Sequence, residues 1–293
     1  MKKVGIFVHS RWTAARNLAD EVRGLLSGQV AEVWQISDWE DTGMAERMPG
    51  TDLLICLGGD GTVLRAARTV IPHAVPVLGV NMGRLGFLAE VRPQELVERL
   101  PDVLAGRCRI EERTMLQAQV PSWGATFHGL NDVVVGRASV GRPVYVDISV
   151  DGSRLAVHRC DAMIVATATG STAYSLSAGG PILHPESRDL ILTPVAPHMA
   201  TARPLVMSAE TVIDLTVNAD KEAVVSVDGQ VDRPLASGDT VSVCRSPYVA
   251  RFVRFSKPED YYALLAERLD WLRVLRASDH PELFDLNGIT TPK

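Results

Sequence analysis

The sequence predicts an α/β domain followed by a β-rich domain. As far as about residue 117, apolar runs that suit buried strands alternate with segments of helical period. From Met115 to Phe255 the apolar runs are short, and turn signals such as Asp151-Gly152 and Ser237-Gly238 separate them. Helical period returns over Pro258–Arg276.

The N-terminal part is expected to form a Rossmann-like parallel sheet with helices on both faces, because strands and helices alternate. The predicted strands are Val4–Val8, Val30–Ile36, Leu53–Leu57 and Pro76–Val80, and the predicted helices are Thr13–Leu26, Thr62–Val70 and Pro93–Leu104. We therefore divide the chain into an α/β domain (1–117), an all-β sandwich domain (118–256), and a C-terminal helix and tail (257–293).

Composition excludes several classes of function. The net charge of −5, without basic clusters, argues against nucleic-acid binding. The four cysteines are too scattered for a zinc site. No apolar run approaches the ~18–20 residues that span a bilayer. The N-terminal apolar run is too short for a signal peptide, so we expect a cytoplasmic protein without membrane partners.

Lysine is absent between Lys3 and Lys221. A Walker-type phosphate loop needs its own lysine and is therefore excluded from this stretch. If phosphates bind there, backbone amides, arginines, hydroxyls and a metal ion must hold them.

A glycine-rich turn follows the predicted strand Leu53–Leu57. Gly58, Gly59 and Gly61 let the backbone approach a ligand. The helix that follows offers free N–H groups to phosphate, and Thr62 is a further candidate for a phosphate contact. The turn is not the dinucleotide fingerprint GxGxxG, because Leu64 occupies the last glycine position. Asp60 beside a phosphate site suggests a metal ligand or a proton acceptor. The alternative is that Asp60 only caps the helix.

The segment Thr167–Pro181 is dense in hydroxyls and small residues, and Tyr174 adds an aromatic face. Such a segment suits a polar ligand that carries a flat base. The alternative is an irregular loop that leads into a tightly packed helix. Gly79–Leu88 is a second glycine-rich segment after a strand, and Asn131-Asp132 offers an amide and a carboxylate to sugar hydroxyls, unless it is a plain turn.

Together these motifs resemble the NAD kinase family. The resemblance rests on GGDGT within Leu57–Thr62, GVNxGxLGFL over Gly79–Leu88, Asn131-Asp132, TGSTAYSLSAGGP within Asp161–Pro181, and Asp228-Gly229-Gln230, in family order. Two positions differ from the usual pattern, because Ala168 replaces a proline and Ala162 replaces a glycine. Neither change removes a polar side chain.

The resemblance implies a reaction in which ATP or polyphosphate phosphorylates the 2′-hydroxyl of the adenosine ribose of NAD, giving NADP. It also implies an active site between the two domains and a C-terminal segment that returns to the first domain. A divalent metal, commonly Mg²⁺, and a homodimer or homotetramer are further implications.

Carried over by motif, Asp60 would be the general base. The resemblance implies phosphate contacts at Gly58, Gly59, Gly61 and Thr62, and NAD contacts at Asp60, Gly61, Arg65, Asn131, Asp132, Arg142, Arg159, Asp161, Thr169, Thr172, Ala173, Tyr174, Ser175, Leu176, Ser177, Ala196 and Gln230. It leaves the metal ligands unassigned.

Two rival functions share parts of this pattern. A lipid or sugar kinase can carry the GGDG turn, although the polar Thr169–Ser177 segment does not suit a lipid. A dinucleotide sensor on the same scaffold would bind NAD or NADP without forming NADP, and the presence of Asp60 counts against it.

Overall fold

The computed structural model describes residues 1–9, 11–36, 43–83, 86–139, 143–198, 201–218 and 223–271. The chain divides into two units, Met1–Phe255 and Ser256–Lys293. In the described part of the chain, no helix is both long and apolar enough to cross a membrane.

The first part of the larger unit is an α/β layer. Four parallel strands pair in the order β2-β1-β3-β4, as expected for a Rossmann-like sheet. The strands are β1 (Lys3–Val8), β2 (Glu32–Ile36), β3 (Leu53–Gly58) and β4 (Val77–Asn81), and the helices are α1 (Thr13–Leu26), α2 (Gly43–Arg47), α3 (Asp60–Val70) and α4 (Pro93–Leu104).

Helices cover both faces of these strands. Along β3, Leu53, Ile55 and Leu57 pack in the same cluster as α1 and α4. Leu54 and Cys56 point to the opposite face, where α2 and α3 pack. All of β3 is buried, which explains its continuous apolar sequence. α3 begins directly after β3, so its N-terminus lies at the carboxyl end of the parallel strands.

The second part is built from antiparallel strands. The strands are β5 (Arg109–Val120), β6 (Ala125–Gly129), β7 (Asp132–Arg137), β8 (Val144–Val150), β9 (Ser153–Cys160), β10 (Ala162–Ala166), β11 (Leu190–Val195), β12 (Leu205–Met207), β13 (Ile213–Asn218), β14 (Ala223–Val227), β15 (Val231–Leu235) and β16 (Thr240–Arg254), and a short helix, α5 (Tyr174–Ser177), follows β10.

The antiparallel strands form a sandwich. Within the described residues, one sheet of ten strands runs β2-β1-β3-β4-β16-β13-β8-β9, with β5 on β16 and β6 on β5. The other sheet has six strands in the order β12-β11-β10-β7-β14-β15. Alternate side chains from both sheets, such as Val146, Leu215, Val135 and Val165, share one buried core. The expected β-sandwich is therefore confirmed.

β16 joins the two parts. Its first half pairs with β13, and near its end Phe252 lies beside Val77 of β4. β5 pairs with both halves of β16, and the register shifts between Arg245 and Val249 of β16. The expected boundary between residues 117 and 118 falls inside β5, so hydrogen bonding continues across it.

The second unit begins with a 3₁₀ turn, Pro258–Asp260, followed by α6 (Tyr261–Arg268). The helix expected over Pro258–Arg276 is thus present in part, and residues 272–293 lie outside the described residues. Its return to the first domain stays a prediction.

Candidate active site

Asp60 is the first residue of α3, and Gly59 is the N-cap. The carboxylate does not cap its own helix. Instead Oδ2 accepts a hydrogen bond from the N–H of Phe87 at 2.7 Å, and Oδ1 accepts from Leu88 at 3.1 Å and Ala89 at 3.5 Å. These three amides belong to the segment after β4, so they fix Asp60 across two neighbouring strand ends. The capping-only alternative therefore fails.

Gly86 makes room for this carboxylate. A Cβ atom at position 86 would lie 2.2 Å from Oδ1 of Asp60, well inside van der Waals contact. The segment Gly79–Leu88 thus needs a glycine at this position because the carboxylate lies against its backbone. Arg84 and Leu85 lie outside the described residues.

Two residues predicted to bind phosphate have structural roles. Thr62 is only 2% exposed, and its side chain fills the space where a Cβ of Gly58 would lie, 2.4 Å from Oγ1. The Thr62 hydroxyl is therefore turned away from solvent. Gly59 and Gly61 are accessible at the start of α3, where unpaired N–H groups and the helix dipole favour an anion.

Asp228 organises a second group of residues. It lies in the turn between β14 and β15, with a φ of 55°, and its carboxylate is buried. That carboxylate accepts hydrogen bonds from the N–H groups of Leu130 (2.8 Å), Asn131 (2.7 Å) and Asp132 (3.1 Å). Asp228 therefore sets the backbone that presents Asn131 and Asp132.

Asp132 is an unusual buried carboxyl group. Burial raises its pKa to about 7, and the nearby charge of Asp228 adds to the rise. Burial also raises the pKa of Asp228, although the three backbone N–H donors and Arg68 oppose that rise. The two carboxyl groups titrate as a coupled pair.

The Thr167–Gly170 segment packs on Asn131. The N–H of Thr167 donates to the Asn131 carbonyl at 2.9 Å, and its Oγ1 donates to the Leu130 carbonyl at 2.6 Å. A Cβ on Gly170 would lie 2.0 Å from the Asn131 carbonyl oxygen. The glycine thus permits backbone-to-backbone contact between two of the predicted NAD-binding segments.

Residues after Gly170 differ in their exposure. Tyr174 is 44% exposed, Ser177 is also exposed, and Thr172, Ala173 and Leu176 are half-buried. Ser175 is buried, and its hydroxyl is 3.1 Å from Thr193 Oγ1. This placement gives Ser175 a packing role, whereas Tyr174 and Ser177 are free to meet a ligand.

Gln230 links the glycine-rich turn at Asp60 to the residues that Asp228 organises. Its Nε2 donates to the Gly61 carbonyl at 3.2 Å, and its Oε1 accepts from Arg68 Nη1 at 3.1 Å. Arg68 also lies 4.0 Å from the Asp228 carboxylate. The GGDG turn, Asn131-Asp132 and the Asp228 turn therefore form one connected site.

A buried charge network lies behind this site. Glu111, 6% exposed, accepts hydrogen bonds from Arg113 Nε and Arg254 Nε at 2.6 and 3.0 Å, and its other oxygen accepts from Arg109. Arg113 donates to Thr169 Oγ1 at 3.2 Å, and Arg254 donates to the Leu88 carbonyl at 2.7 Å. Burial acts to raise the pKa of Glu111, but the charges of Arg254 and Arg113 outweigh it and lower the pKa to about 2. The network thus ties the Asp60-binding segment to the Thr169 segment.

Three predicted NAD-binding residues lie elsewhere. Asp161 precedes β10 and Thr167 follows it, so β10 separates them by roughly 20 Å. Asp161 forms an ion pair with Arg137 at 2.9 Å. Ala196 has a φ of 45°. The guanidinium of Arg159 lies over the Tyr145 ring. One chain therefore does not bring Arg159, Asp161 and Ala196 together with Asp60. Arg142 lies outside the described residues.

Several site residues had no signal specific enough for prediction. Glu111 and Arg113 lie on β5 and Arg254 lies on β16, and only the pairing of these two strands brings Arg254 to the other two residues. Asp228 belongs to the quoted Asp228-Gly229-Gln230 motif, and Arg68 lies about one helical turn after Arg65, so both could have been included among the site residues. Among the described residues, no three His, Cys, Asp or Glu side chains converge to hold a metal ion.

Two family models match most of this chain. Residues 4–108 match the family model for the ATP-NAD kinase N-terminal domain, and residues 130–255 match the model for the ATP-NAD kinase C-terminal domain. The NAD kinase of Dehalococcoides mccartyi is 38% identical over 265 residues, covering 89% of this chain and 93% of that protein. The NAD kinase of Citrifermentans bemidjiense is 39% identical over 289 residues, covering 92% and 99%.

Two solved structures are also similar. Yeast NADH kinase complexed with NADH has a TM-score of 0.81 at 25% identity, covering 94% of this chain and 89% of that one. An NAD kinase from Archaeoglobus fulgidus in complex with ATP has a TM-score of 0.76 at 26% identity, covering 92% and 99%. With both domain models matched and close relatives along most of its length, this chain belongs to the NAD kinase family.

Proposed function

We propose that this enzyme transfers the terminal phosphoryl group of ATP or polyphosphate to the 2′-hydroxyl of the adenosine ribose of NAD, forming NADP. The observation that carries the proposal is the position of the Asp60 carboxylate at the N-terminus of α3. Three backbone amides of the segment after β4 hold it there. A carboxylate placed beside an anion site suits proton removal from an attacking hydroxyl.

Asp60 acts as the general base. Each carboxylate oxygen has two lone pairs, and the Phe87 amide uses only one of those on Oδ2, so that oxygen can accept the ribose hydroxyl. The 2′-oxygen attacks the terminal phosphorus and its proton passes to Asp60. The bond from that phosphorus to the bridging oxygen breaks, and the shortened donor leaves with the electron pair.

Binding of NAD falls to the segments around Asn131. Asn131 and Asp132 are suited to hold ribose hydroxyls, because the Asp228 turn fixes their backbone. We assign the neighbouring residues Thr169, Thr172, Ala173, Tyr174, Leu176 and Ser177 to the same ligand, with the exposed Tyr174 available for the base.

A divalent cation, commonly Mg²⁺ in this family, would neutralise charge on the donor phosphates. No side-chain cage for it is present among the described residues. A cation that keeps several waters and binds mainly to phosphate oxygens fits such a site, and it needs no dedicated ligand set. We assign it no protein ligands.

We also propose a cytoplasmic homodimer or homotetramer. Its support comes from Arg159, Asp161 and Ala196, which lie at the far end of β10 from Asp60. A second copy could bring this end to the site, whereas one chain cannot.

The test is an NADP-forming assay with ATP and polyphosphate compared, with and without Mg²⁺. NADP formation supports the proposal, and the preferred donor identifies the phosphoryl source. Binding of NAD without any NADP formation would favour the dinucleotide sensor instead.

A further inference from the structure

The carboxylate of Glu111 lies behind the site, between two segments that are distant in sequence. Glu111 is on β5 and only 6% exposed. Its Oε1 accepts a hydrogen bond from Arg113 Nε at 2.6 Å and another from Arg254 Nε at 3.0 Å. Arg113 and Arg254 are themselves buried. Two buried guanidinium groups therefore share one carboxylate oxygen.

The two arginines reach different parts of the site. Arg254 donates from Nη1 to the Leu88 carbonyl at 2.7 Å, and the N–H of Leu88 donates to the Asp60 carboxylate at 3.1 Å. Arg113 donates from Nη1 to Thr169 Oγ1 at 3.2 Å. Thr169 belongs to the hydroxyl-rich segment that follows β10. A continuous series of hydrogen bonds thus runs from Asp60 through the shared carboxylate to Thr169.

Charge holds the centre of this series together. Although burial acts to raise the pKa of Glu111, the charges of Arg254 and Arg113 lower it to about 2, so the carboxylate is ionised at neutral pH. Two buried cations without an anion between them would repel each other. An arginine that left the carboxylate would keep a buried charge without compensation, which is costly. The positions of the two arginines are therefore linked through Glu111.

A second carboxylate offers Arg254 an alternative position. Oε2 of Glu90 lies 3.8 Å from Arg254 Nε, which is further away than the Glu111 oxygen. If Glu111 lost its charge, the attraction of Glu90 would be the stronger one. Arg254 would then move toward Glu90, and its bond to the Leu88 carbonyl would weaken. Loss of the Glu111 charge is therefore expected to disturb the segment after β4.

We propose that Glu111 is a positioning residue for the phosphoryl transfer. Through Arg254 it aligns the Asp60 carboxylate. Through Arg113 it holds Thr169, so the base and the hydroxyl-rich segment are set together. Glu111 acts through these arginines and not on the substrate itself. This inference rests on the proposed function.

The first test follows hydrogen exchange of backbone amides and needs no turnover. Glu111→Gln keeps the size of the side chain and removes its charge. We expect the amides of residues 87–89 and 167–170 to exchange about tenfold faster or more, because both segments lose support. The amides of α1 should keep their wild-type rates. Faster exchange along the whole chain, α1 included, would mean that the variant is only less stable, and it overturns the inference.

Glu112→Gln is the matched control. Glu112 follows Glu111 on β5, but its side chain is 54% exposed and pairs with Arg251. Its replacement should leave both segments at wild-type rates, since exposed pairs contribute little. If Glu111→Gln does not fold, Glu111→Asp keeps the charge but is one methylene shorter, so it cannot keep both arginine bonds. The same local increase in exchange is then expected, and wild-type rates in Glu111→Asp would overturn the inference.

The second test measures turnover per folded enzyme, once NADP formation by the wild type is established. We expect Glu111→Gln to lower kcat about tenfold or more, because Asp60 loses its alignment. In the Asp60→Asn background, the same substitution should lower the residual turnover less than about twofold, since the base that it positions has gone. An equal loss in both backgrounds would show that Glu111 acts without Asp60, and it overturns the inference.

The link between the two arginines is tested with Arg113→Lys. Lysine keeps the charge but lacks the guanidinium fork that bonds Glu111 and Thr169 together. It should lower kcat several-fold in the wild type, because the shared carboxylate can then turn away from Arg254. In the Glu111→Gln background it should change kcat less than about twofold. Additive losses would mean that the arginines act independently, and they overturn the role of Glu111.

These outcomes separate the inference from the proposed function. Wild-type exchange and turnover in Glu111→Gln overturn the inference and leave NADP formation standing. Absence of NADP formation by the wild type, with faster local exchange in Glu111→Gln, overturns the proposed function alone.

Discussion

Arg254 reaches from the end of β16 to the carbonyl oxygen of Leu88, which its Nη1 contacts at 2.7 Å. The N–H of the same Leu88 donates to Asp60. Arg254 is 5% exposed, and its Nε is held by Glu111 at 3.0 Å. Arg254 is therefore a positioning residue that acts on Asp60 through a single residue, Leu88.

Replacement of Arg254 by lysine should lower kcat more than it raises KM. Lysine keeps the charge, but its single ammonium lacks the guanidinium geometry that bonds Leu88 and Glu111 together. We expect kcat to fall about tenfold, because the amides that align Asp60 lose their support. Steady-state kinetics on Arg254→Lys would measure this.

Arg251→Lys is the matched control, because Arg251 lies in the same strand but forms an exposed pair with Glu112. It should behave as the wild type, since exposed pairs contribute little. Equal loss of kcat in both variants would mean that the effect comes from β16 in general.

Gly86→Ala should disable the enzyme through Asp60. The new Cβ would lie 2.2 Å from Oδ1, so either the carboxylate or the segment after β4 must move. We expect kcat to fall by at least about tenfold while the fold is retained, because a shift of about 1 Å in a catalytic group is costly. At Gly83, in the same segment, the nearest atom to a new Cβ is a Trp12 ring carbon at 3.4 Å. Gly83→Ala should therefore keep activity, and an equal loss there would contradict the steric explanation.

Asp60→Asn should abolish most turnover and leave NAD binding nearly intact. An amide has the same shape as a carboxylate but cannot accept the proton of the ribose hydroxyl at neutral pH, and its NH2 group cannot accept the backbone N–H bonds made to one carboxylate oxygen. We expect kcat to fall about 10²–10⁴-fold, the usual contribution of a general base. NAD affinity measured by calorimetry provides the control. Near-normal turnover would remove Asp60 from the role of base.

Local patterns predicted much of the fold. The helix Thr13–Leu26 has the bounds expected from its periodicity, because its apolar residues lie on one buried face. α3 begins at Asp60, two residues earlier than expected, because Gly59 already serves as N-cap. The periodic pattern could not show this, since the first turn of α3 contains polar and glycine residues.

The site was predicted less completely than the fold. Motifs pointed to Asp60 because its neighbouring glycines are visible in the sequence, and to Asn131 because it pairs an amide with the Asp132 carboxylate. Burial of Thr62 and Ser175 depends on what packs over them, and the partners of Arg254 depend on strands far apart in the chain. Neither kind of information is contained in a local pattern.

The buried carboxyl of Asp132 should make stability depend on pH. Its pKa rises from about 3.8 when unfolded to about 7 when folded, so the folded state binds more protons between these values. The free energy of unfolding therefore falls as pH rises from about 4 to about 7, and the loss persists above that range. Asp132→Asn cannot ionise and should remove this contribution.

The measurable quantity is the difference in unfolding free energy between Asp132→Asn and the wild type, from urea titrations between about pH 5 and about pH 8. Any steric effect of asparagine shifts this difference equally at every pH, so only its slope reports the titration. We expect the unfolding free energy of the variant, relative to that of the wild type, to increase as pH rises, by an amount on the order of a few kcal/mol. Because Asp132 and Asp228 titrate as a coupled pair, the slope reports the effect of Asp132 on the titration of the pair. Asp20→Asn on the exposed side of α1 should give a flat difference. A flat difference for Asp132→Asn as well would mean that Asp132 is ionised throughout this range, and that the Asp228 turn tolerates two buried charges.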